Sequence, residues 1–263
     1  MKRLLYILIM CSLAGGVFAQ PVNRWSVRVG EFCSYDPVLS PQQSSGVSIT
    51  LNALHYAPYR DSSNVWWSFR DQFRYSPMLN DASSSRTHFG SVRLDYGTHY
   101  RFQLAHGLSL TAGGCLDIYG GIKYNTRNVN NIASADVQIG LRAMVSGHYE
   151  HDFSSKFGMG VHYGLSTPLI GCFFAPEYGE SYYEIWLYLP ESLGHTIHFS
   201  APHNRQGVMG ELMVDFMFPH GTLFVGFTHE NEWWQTDACH FRQADIAGCV
   251  GFALRLQALR ATH

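Results

Sequence analysis

The sequence predicts an all-β fold, a single antiparallel transmembrane β-barrel of 12 strands, with ten as the alternative count. Three observations carry this. Apolar and polar residues alternate with period two through most of the chain, the connections between those runs alternate short and long, and the N-terminus reads as an export leader.

The leader comes first. Lys2 and Arg3 supply its positive end, Leu4 to Leu13 its apolar core, and Val17-Phe18-Ala19 a small-residue cleavage site before Gln20. The apolar run is short for a membrane-spanning helix and has no charged stop. The expected organisation is a leader over 1–19 and one domain over 20–263, with no linker or low-complexity tract dividing it. Without the leader, 16 basic residues face 20 acidic ones. That balance offers no basic field to nucleic acid. Charged residues make up only 14 % of the chain, below the usual quarter or so, while 25 glycines, 15 tyrosines and 17 phenylalanines suit short strands with an aromatic, weakly charged surface. Five cysteines remain, an odd number: Cys33, Cys115, Cys172, Cys239 and Cys249. Cys172 and Cys239 fall in predicted loops, where an oxidising compartment would let them pair.

Strands are expected near 22–30, 46–56, 64–75, 87–104, 108–122, 134–150, 156–166, 182–189, 194–200, 206–218, 222–232 and 240–257. In the third, Val65, Trp67, Phe69, Phe73 and Tyr75 share one face, broken by Asp71, and Ser68, Arg70, Gln72 and Arg74 share the other. The fourth is the clearest: Val92, Leu94, Tyr96, Thr98, Tyr100, Phe102 and Leu104 alternate with Arg93, Asp95, Gly97, His99, Arg101 and Gln103. Successive strand side chains point to opposite faces, whereas helical faces recur at three and four residues. Leu108, Leu110, Ala112, Leu116 and Ile118 continue the pattern against Ser109, Thr111 and Asp117. Val137, Ile139, Leu141 and Val145 set it against Asp136, Gln138, Arg142 and His148, and Val208, Leu212, Val214 and Phe216 against Glu211 and Asp215. Ile246, Val250, Phe252 and Leu254 form the last apolar face.

Period two is shared by soluble and membrane sheets. Strand length, mid-strand charges and the alternation of connections favour the membrane form, with apolar faces toward lipid. The short connections are 105–107, 151–155, 190–193 and 219–221; the long ones are 31–45, 76–86, 123–133, 167–181 and 233–239. With the N-terminus in the periplasm, every short turn falls on the periplasmic side. The segments 182–189 and 194–200 are short for a full crossing, and a loop hairpin there gives the ten-strand alternative. Trp66, Trp67, Trp186, Trp233 and Trp234 fall near strand ends, where interfacial aromatic girdles lie.

Two stretches carry a resemblance. Ala112-Gly-Gly-Cys-Leu-Asp117 leads through Tyr124-Asn-Thr-Arg-Asn-Val-Asn-Asn131 to Ala133-Ser-Ala135, and Pro168 to Ile185, containing Pro-Glu-Tyr-Gly-Glu-Ser-Tyr-Tyr-Glu, is followed by His198 to Arg205. These resemble an uncharacterised family of outer-membrane proteins from Bacteroides and its relatives. The resemblance implies an outer-membrane barrel and no particular activity.

Three groups of residues are candidates for function. Glu177, Tyr178, Glu180, Tyr182, Tyr183 and Glu184 combine carboxylates with aromatic faces in the predicted loop 167–181 and the strand that follows, a composition that suits a cation or glycan, or a packed plug. Ser200, His203 and Asn204 supply the residue types of a hydrolytic triad beside a turn-forming Pro202. Arg93, Asp95, His99, Arg101, Asp136, Arg142, Glu211, Asp215 and Arg255 point inward together, as a closed ion-paired interior or a narrow charged pore. No motif calls for a metal or cofactor. The expected partners are outer-membrane lipid and the barrel-assembly machinery, with no nucleic acid and no small molecule or glycan that the residues identify. The leading function is therefore a non-enzymatic outer-membrane protein, against a lipid or lipopolysaccharide hydrolase and a soluble periplasmic binding barrel.

Overall fold

The structure is a computed structural model that describes residues 22–60, 63–82, 84–125, 127, 132–176, 182–188 and 193–255. The expected leader over 1–19 lies outside them. Seven strands come first: β1 (Val22–Asp36), β2 (Ser40–Pro58), β3 (Val65–Asn80), β4 (Arg86–Ala105), β5 (Leu108–Asn125), β6 (Ala133–Ser154) and β7 (Phe157–Phe174). Two short helices follow, α1 (Tyr182–Leu187) and α2 (Leu193–Thr196), then β8 (Ile197–Ser200), β9 (Arg205–Phe218), β10 (Gly221–Gln235) and β11 (His240–Arg255).

β1 to β7 each pair antiparallel with the next strand in sequence, β7 also pairs with β9, β9 with β10 and β10 with β11, and β11 returns to β1. The sheet is thus a closed barrel of ten strands, with β8 as an eleventh strand beside β7. The smaller of the two expected counts is the observed one. The segments 182–189 and 194–200 do not cross: they fold as α1, α2 and the four-residue β8. β8 pairs only with the far end of β7, from Gly171 opposite Ser200 to Phe174 opposite Ile197, taking over as partner where β9 stops at Ser166.

The strands run further than the alternation suggested. β1 and β2 are separated by only three residues, and β7 continues to Phe174, so most of the predicted loops 31–45 and 167–181 are wall. Glu31 is the next exposed outward residue after Val29 on β1. Beyond the apolar belt a wall in water needs no apolar outer face, so the pattern fades while the hydrogen-bond ladder continues. At β7 a bulge hides the continuation as well. Leu141 pairs with Ile170 and Arg142 with Pro168, leaving Leu169 extra. The lumen-facing set then changes parity, from Gly164 and Ser166 to Phe173. Proline cannot donate to a ladder, and a bulge is where a strand tolerates it.

The two-residue connections after β4, β6 and β9 lie at one end, here the turn end, with the six-residue link from β2 to β3; the other connections lie at the loop end. One two-residue turn, His106-Gly107, depends on Gly107 at φ 74°. Its carbonyl accepts the Glu150 amide at 2.8 Å, and a Cβ at this position would strike the Glu150 carbonyl. Gly107→Ala is expected to destabilise the barrel by about 1–2 kcal/mol, read as a lower urea midpoint of the folded protein in micelles. An unchanged midpoint would mean that this turn relaxes without strain.

The outward face carries Val27, Leu51, Phe73, Tyr96, Leu116, Ile139, Val161, Leu212, Phe227 and Val250, all exposed. The inward face carries most of the buried charge. This is the arrangement expected of a lipid-facing barrel, and the reverse of a soluble sandwich. The tryptophan pairs divide between the faces, as neighbours on a strand must. Trp66 lines the lumen, and Trp67, on the opposite face of β3, is buried at the turn end. Trp234 is buried in the lumen beside outward-facing Trp233 at the loop end. The side chain of Trp186 lies outside the described residues.

Candidate functional site

The lumen has three layers. Four arginines and four carboxylates make the middle one. Arg93 reaches Glu230 at 2.8 Å, Glu232 at 3.2 Å and Asp117 at 3.3 Å. Arg142 binds Glu232 at 2.5 Å and Asp117 at 3.3 Å, and Arg205 binds the same two at 3.2 and 3.4 Å. Arg74 binds Glu230 at 2.5 Å, with Asp245 at 3.7 Å. All eight are buried, and their charges balance. A buried charge must be paired, and sharing Asp117, Glu230 and Glu232 between guanidiniums ties several strands together at once.

The loop-end layer is aromatic with one ionic node. Phe32 stacks on Phe89 at 4.6 Å, and Arg74 and Arg93 lie over the Phe32 and Tyr119 rings at 5.2 and 4.8 Å. Lys123 bridges Asp36 at 3.0 Å and Asp136 at 2.7 Å. Val38, Phe173, Ala175, Trp234, Cys239 and Phe241 form a further buried cluster. From α1, the Tyr182 hydroxyl accepts the Ala135 amide at 2.7 Å and donates to Ser134 at 3.2 Å. Burial holds this phenol above its ordinary value. These side chains fill the upper lumen.

Below the ionic layer the lumen opens into a vestibule of about 760 Å³, reaching from Arg74, Glu230 and Asp245 to the turn-end rim at Val22, Pro58 and Glu150. Arg24 grips Asp215 with two bonds of 2.7 and 3.0 Å. Glu211 gathers Arg70 at 3.1 Å, His162 at 3.3 Å and Arg28 at 3.5 Å. The His148 and His162 rings lie 6.2 Å apart. Met144, Met213, Met217 and Phe224 add apolar wall. The site can hold a small molecule with both polar and apolar parts.

Arg93, Asp95, His99, Arg101, Asp136, Arg142, Glu211 and Asp215 lie on the inward face, but they do not form one group. Arg93 and Arg142 belong to the ionic layer, and Asp136 to the lysine node. His99, Arg101, Glu211 and Asp215 line the vestibule. Asp95 is buried between them, and the side chain of Arg255 lies outside the described residues. The alternation would have placed Arg74 and Asp117 in the same network. Glu230 and Glu232 share a parity on β10, but no long alternating run marked them. Arg205 was hidden because its neighbours read as a turn; it is the first residue of β9.

Of the loop candidates, Glu177, Tyr178 and Glu180 lie outside the described residues, as does the Tyr183 side chain. Glu184 is exposed on α1, and Tyr182 turns inward to the cap. Ser200 is buried on β8 while His203 is exposed in the following turn. The Asn204 amide accepts from the Ala201 amide at 2.9 Å and donates to the Phe199 carbonyl at 2.7 Å. It holds the turn, and among the described residues no hydrogen bond joins the three side chains. The serine and histidine that do meet are Ser68 and His99, at 2.6 Å. Cys172 lies on the wall and Cys239 in the buried cluster, and the two are not joined in a disulfide.

Solved structures share this architecture. The transport unit of the autotransporter AIDA-I from Escherichia coli is 7% identical, with 96% of this chain and 97% of that one covered, at a TM-score of 0.50. The translocator domain of autotransporter NalP from Neisseria meningitidis is 10% identical over 97% and 95%, at 0.44. The outer membrane protease OmpT from Escherichia coli is 8% identical over 92% and 100%, at 0.47. At these identities the likeness is one of fold: a closed antiparallel barrel of the outer-membrane kind. No curated protein matches the chain. A model described as protein of unknown function, DUF3316, matches residues 19–262, and the chain belongs to that family.

Proposed function

We propose that this protein is a non-conducting outer-membrane barrel that binds a small amphiphilic molecule in a vestibule open to the periplasm. One observation carries the reading: the four-arginine, four-carboxylate layer fills the lumen above a cavity of about 760 Å³. A narrow channel would need a continuous polar path, and here the arginines are locked between carboxylates and aromatic rings. With chain ends and short turns on the periplasmic side, the vestibule faces the periplasm and the filled half faces out. The outward belt meets lipid, and the barrel-assembly machinery inserts it. The resemblance of the loop strings supports a Bacteroidetes outer membrane as its setting.

The purified barrel, reconstituted in planar bilayers, is expected to give no unitary conductance steps. Steady ion conduction by the wild-type protein would overturn the sealed lumen.

A further inference from the structure

The vestibule wall contains a serine–histidine pair that none of the ion-pair layers uses. Ser68 lies on β3 and His99 on β4, as diagonal neighbours on the lumenal face: Ser68 is opposite Gly97, and His99 opposite Trp66. The Ser68 Oγ and His99 Nε2 are 2.6 Å apart, the distance at which an imidazole can take a hydroxyl proton. Both side chains line the vestibule.

The wall is shaped around the ring. A Cβ on Gly97 would stand 2.7 Å from His99 Nε2 and 2.9 Å from Ser68 Oγ. A Cβ on Gly113, across on β5, would stand 2.9 Å from His99 Nδ1. Glycine weakens a strand, and it recurs where something must approach the backbone closely. Here one glycine clears the space at each ring nitrogen.

Two cations flank the pair. Arg70 follows Ser68 on the lumenal face of β3 and is tied to Glu211 at 3.1 Å. Arg101 follows His99 on β4. It lies over the Trp66 ring at 5.5 Å and pairs with no carboxylate among the described residues. An unneutralised guanidinium at the mouth of the cavity suits an anionic group on a ligand, or the oxyanion of an acyl transfer.

We propose that Ser68 and His99 form a nucleophilic dyad that hydrolyses an acyl ester carrying an anionic group, admitted from the turn end. This deepens the vestibule reading and rests on it. Ser68 Oγ attacks the ester carbonyl carbon while His99 Nε2 takes its proton. The carbonyl–alkoxide bond breaks, and Nε2 passes that proton to the leaving alkoxide. Water then gives a proton to Nε2 and attacks the acyl carbon; the acyl–Oγ bond breaks and Nε2 returns the proton to Oγ, releasing the carboxylic acid and restoring Ser68 and the neutral His99.

The test uses the folded, full-length barrel and a small alkyl fluorophosphonate. Oγ–phosphorus bond formation displaces fluoride, and intact mass with peptide mapping locates the adduct. A single adduct on Ser68 is expected. It should vanish in Ser68→Ala, form at least about 100-fold more slowly in His99→Ala, and persist in Ser109→Ala, a buried serine of the same vestibule. Wild-type protein that takes no adduct, or an adduct that survives Ser68→Ala, overturns the dyad. Ser146→Cys, which lines the vestibule, separates the two readings. One extra maleimide adduct over wild type with Ser68 unreactive rejects the dyad and leaves the vestibule standing, whereas no reaction at either position rejects both.

Discussion

Glu232→Ala is expected to destabilise the barrel by about 3–5 kcal/mol, the cost of breaking a buried ion-pair network by removing one partner. One Glu232 oxygen receives Arg142 at 2.5 Å and Arg93 at 3.2 Å, and the other receives Arg205 at 3.2 Å. Its removal leaves those three guanidiniums gathered around Asp117. The positive charge cannot be relieved by deprotonation, because arginine keeps its proton in proteins. Water or anions must enter instead, so the variant should also admit ions where the wild type does not. Urea unfolding in micelles measures the first effect and bilayer recording the second. The control is Glu31→Ala, an exposed outward residue near the loop end, expected within about 0.5 kcal/mol of wild type. A Glu232→Ala midpoint equal to that control would mean that the layer is not what holds the lumen closed.

Val250→Arg has the second largest expected effect, and it asks what surrounds the barrel. Val250 is 59% exposed on β11, with Val27 directly opposite on β1 and Val225 on β10. If this face meets the middle of a bilayer, the arginine costs about 2–4 kcal/mol. If it meets water, an exposed substitution of this kind changes stability by about 0.5 kcal/mol or less. Folding free energy into lipid vesicles, together with the fraction showing a heat-dependent gel shift, distinguishes the two. A variant that folds as well as wild type would place this face in water and remove the membrane from the account.

Much of the wall was legible along the chain, because a strand's side-chain direction depends only on the residue's parity. The run from Val92 to Leu104 assigns Arg93, Asp95 and His99 to the lumen without reference to any other strand, and all three are buried there. The reading failed where parity or polarity changes locally. The Leu169 bulge flips the face of β7, and the upper wall, no longer required to be apolar outside, loses its signature though its ladder continues. The candidate site was half legible. His99 was placed in the lumen, but the serine was sought at Ser200, close in sequence to His203, and the two side chains take different environments.

The sequence by itself determined the class of fold and, along each alternating run, which side chains face in and which face out. Tertiary structure alone decided that ten strands close the barrel and which inward charges meet. Arg93 and Glu230 are 137 residues apart, and Arg142 and Glu232 are 90 apart. Their encounter depends on the stagger accumulated around the closed sheet, together with the bulge that shifts it at β7. Alternation is unchanged when a strand slides by two residues, so it specifies the face and leaves the height open. That height decides whether an inward arginine joins the ionic layer, as Arg93 does, or lines the vestibule, as Arg101 does.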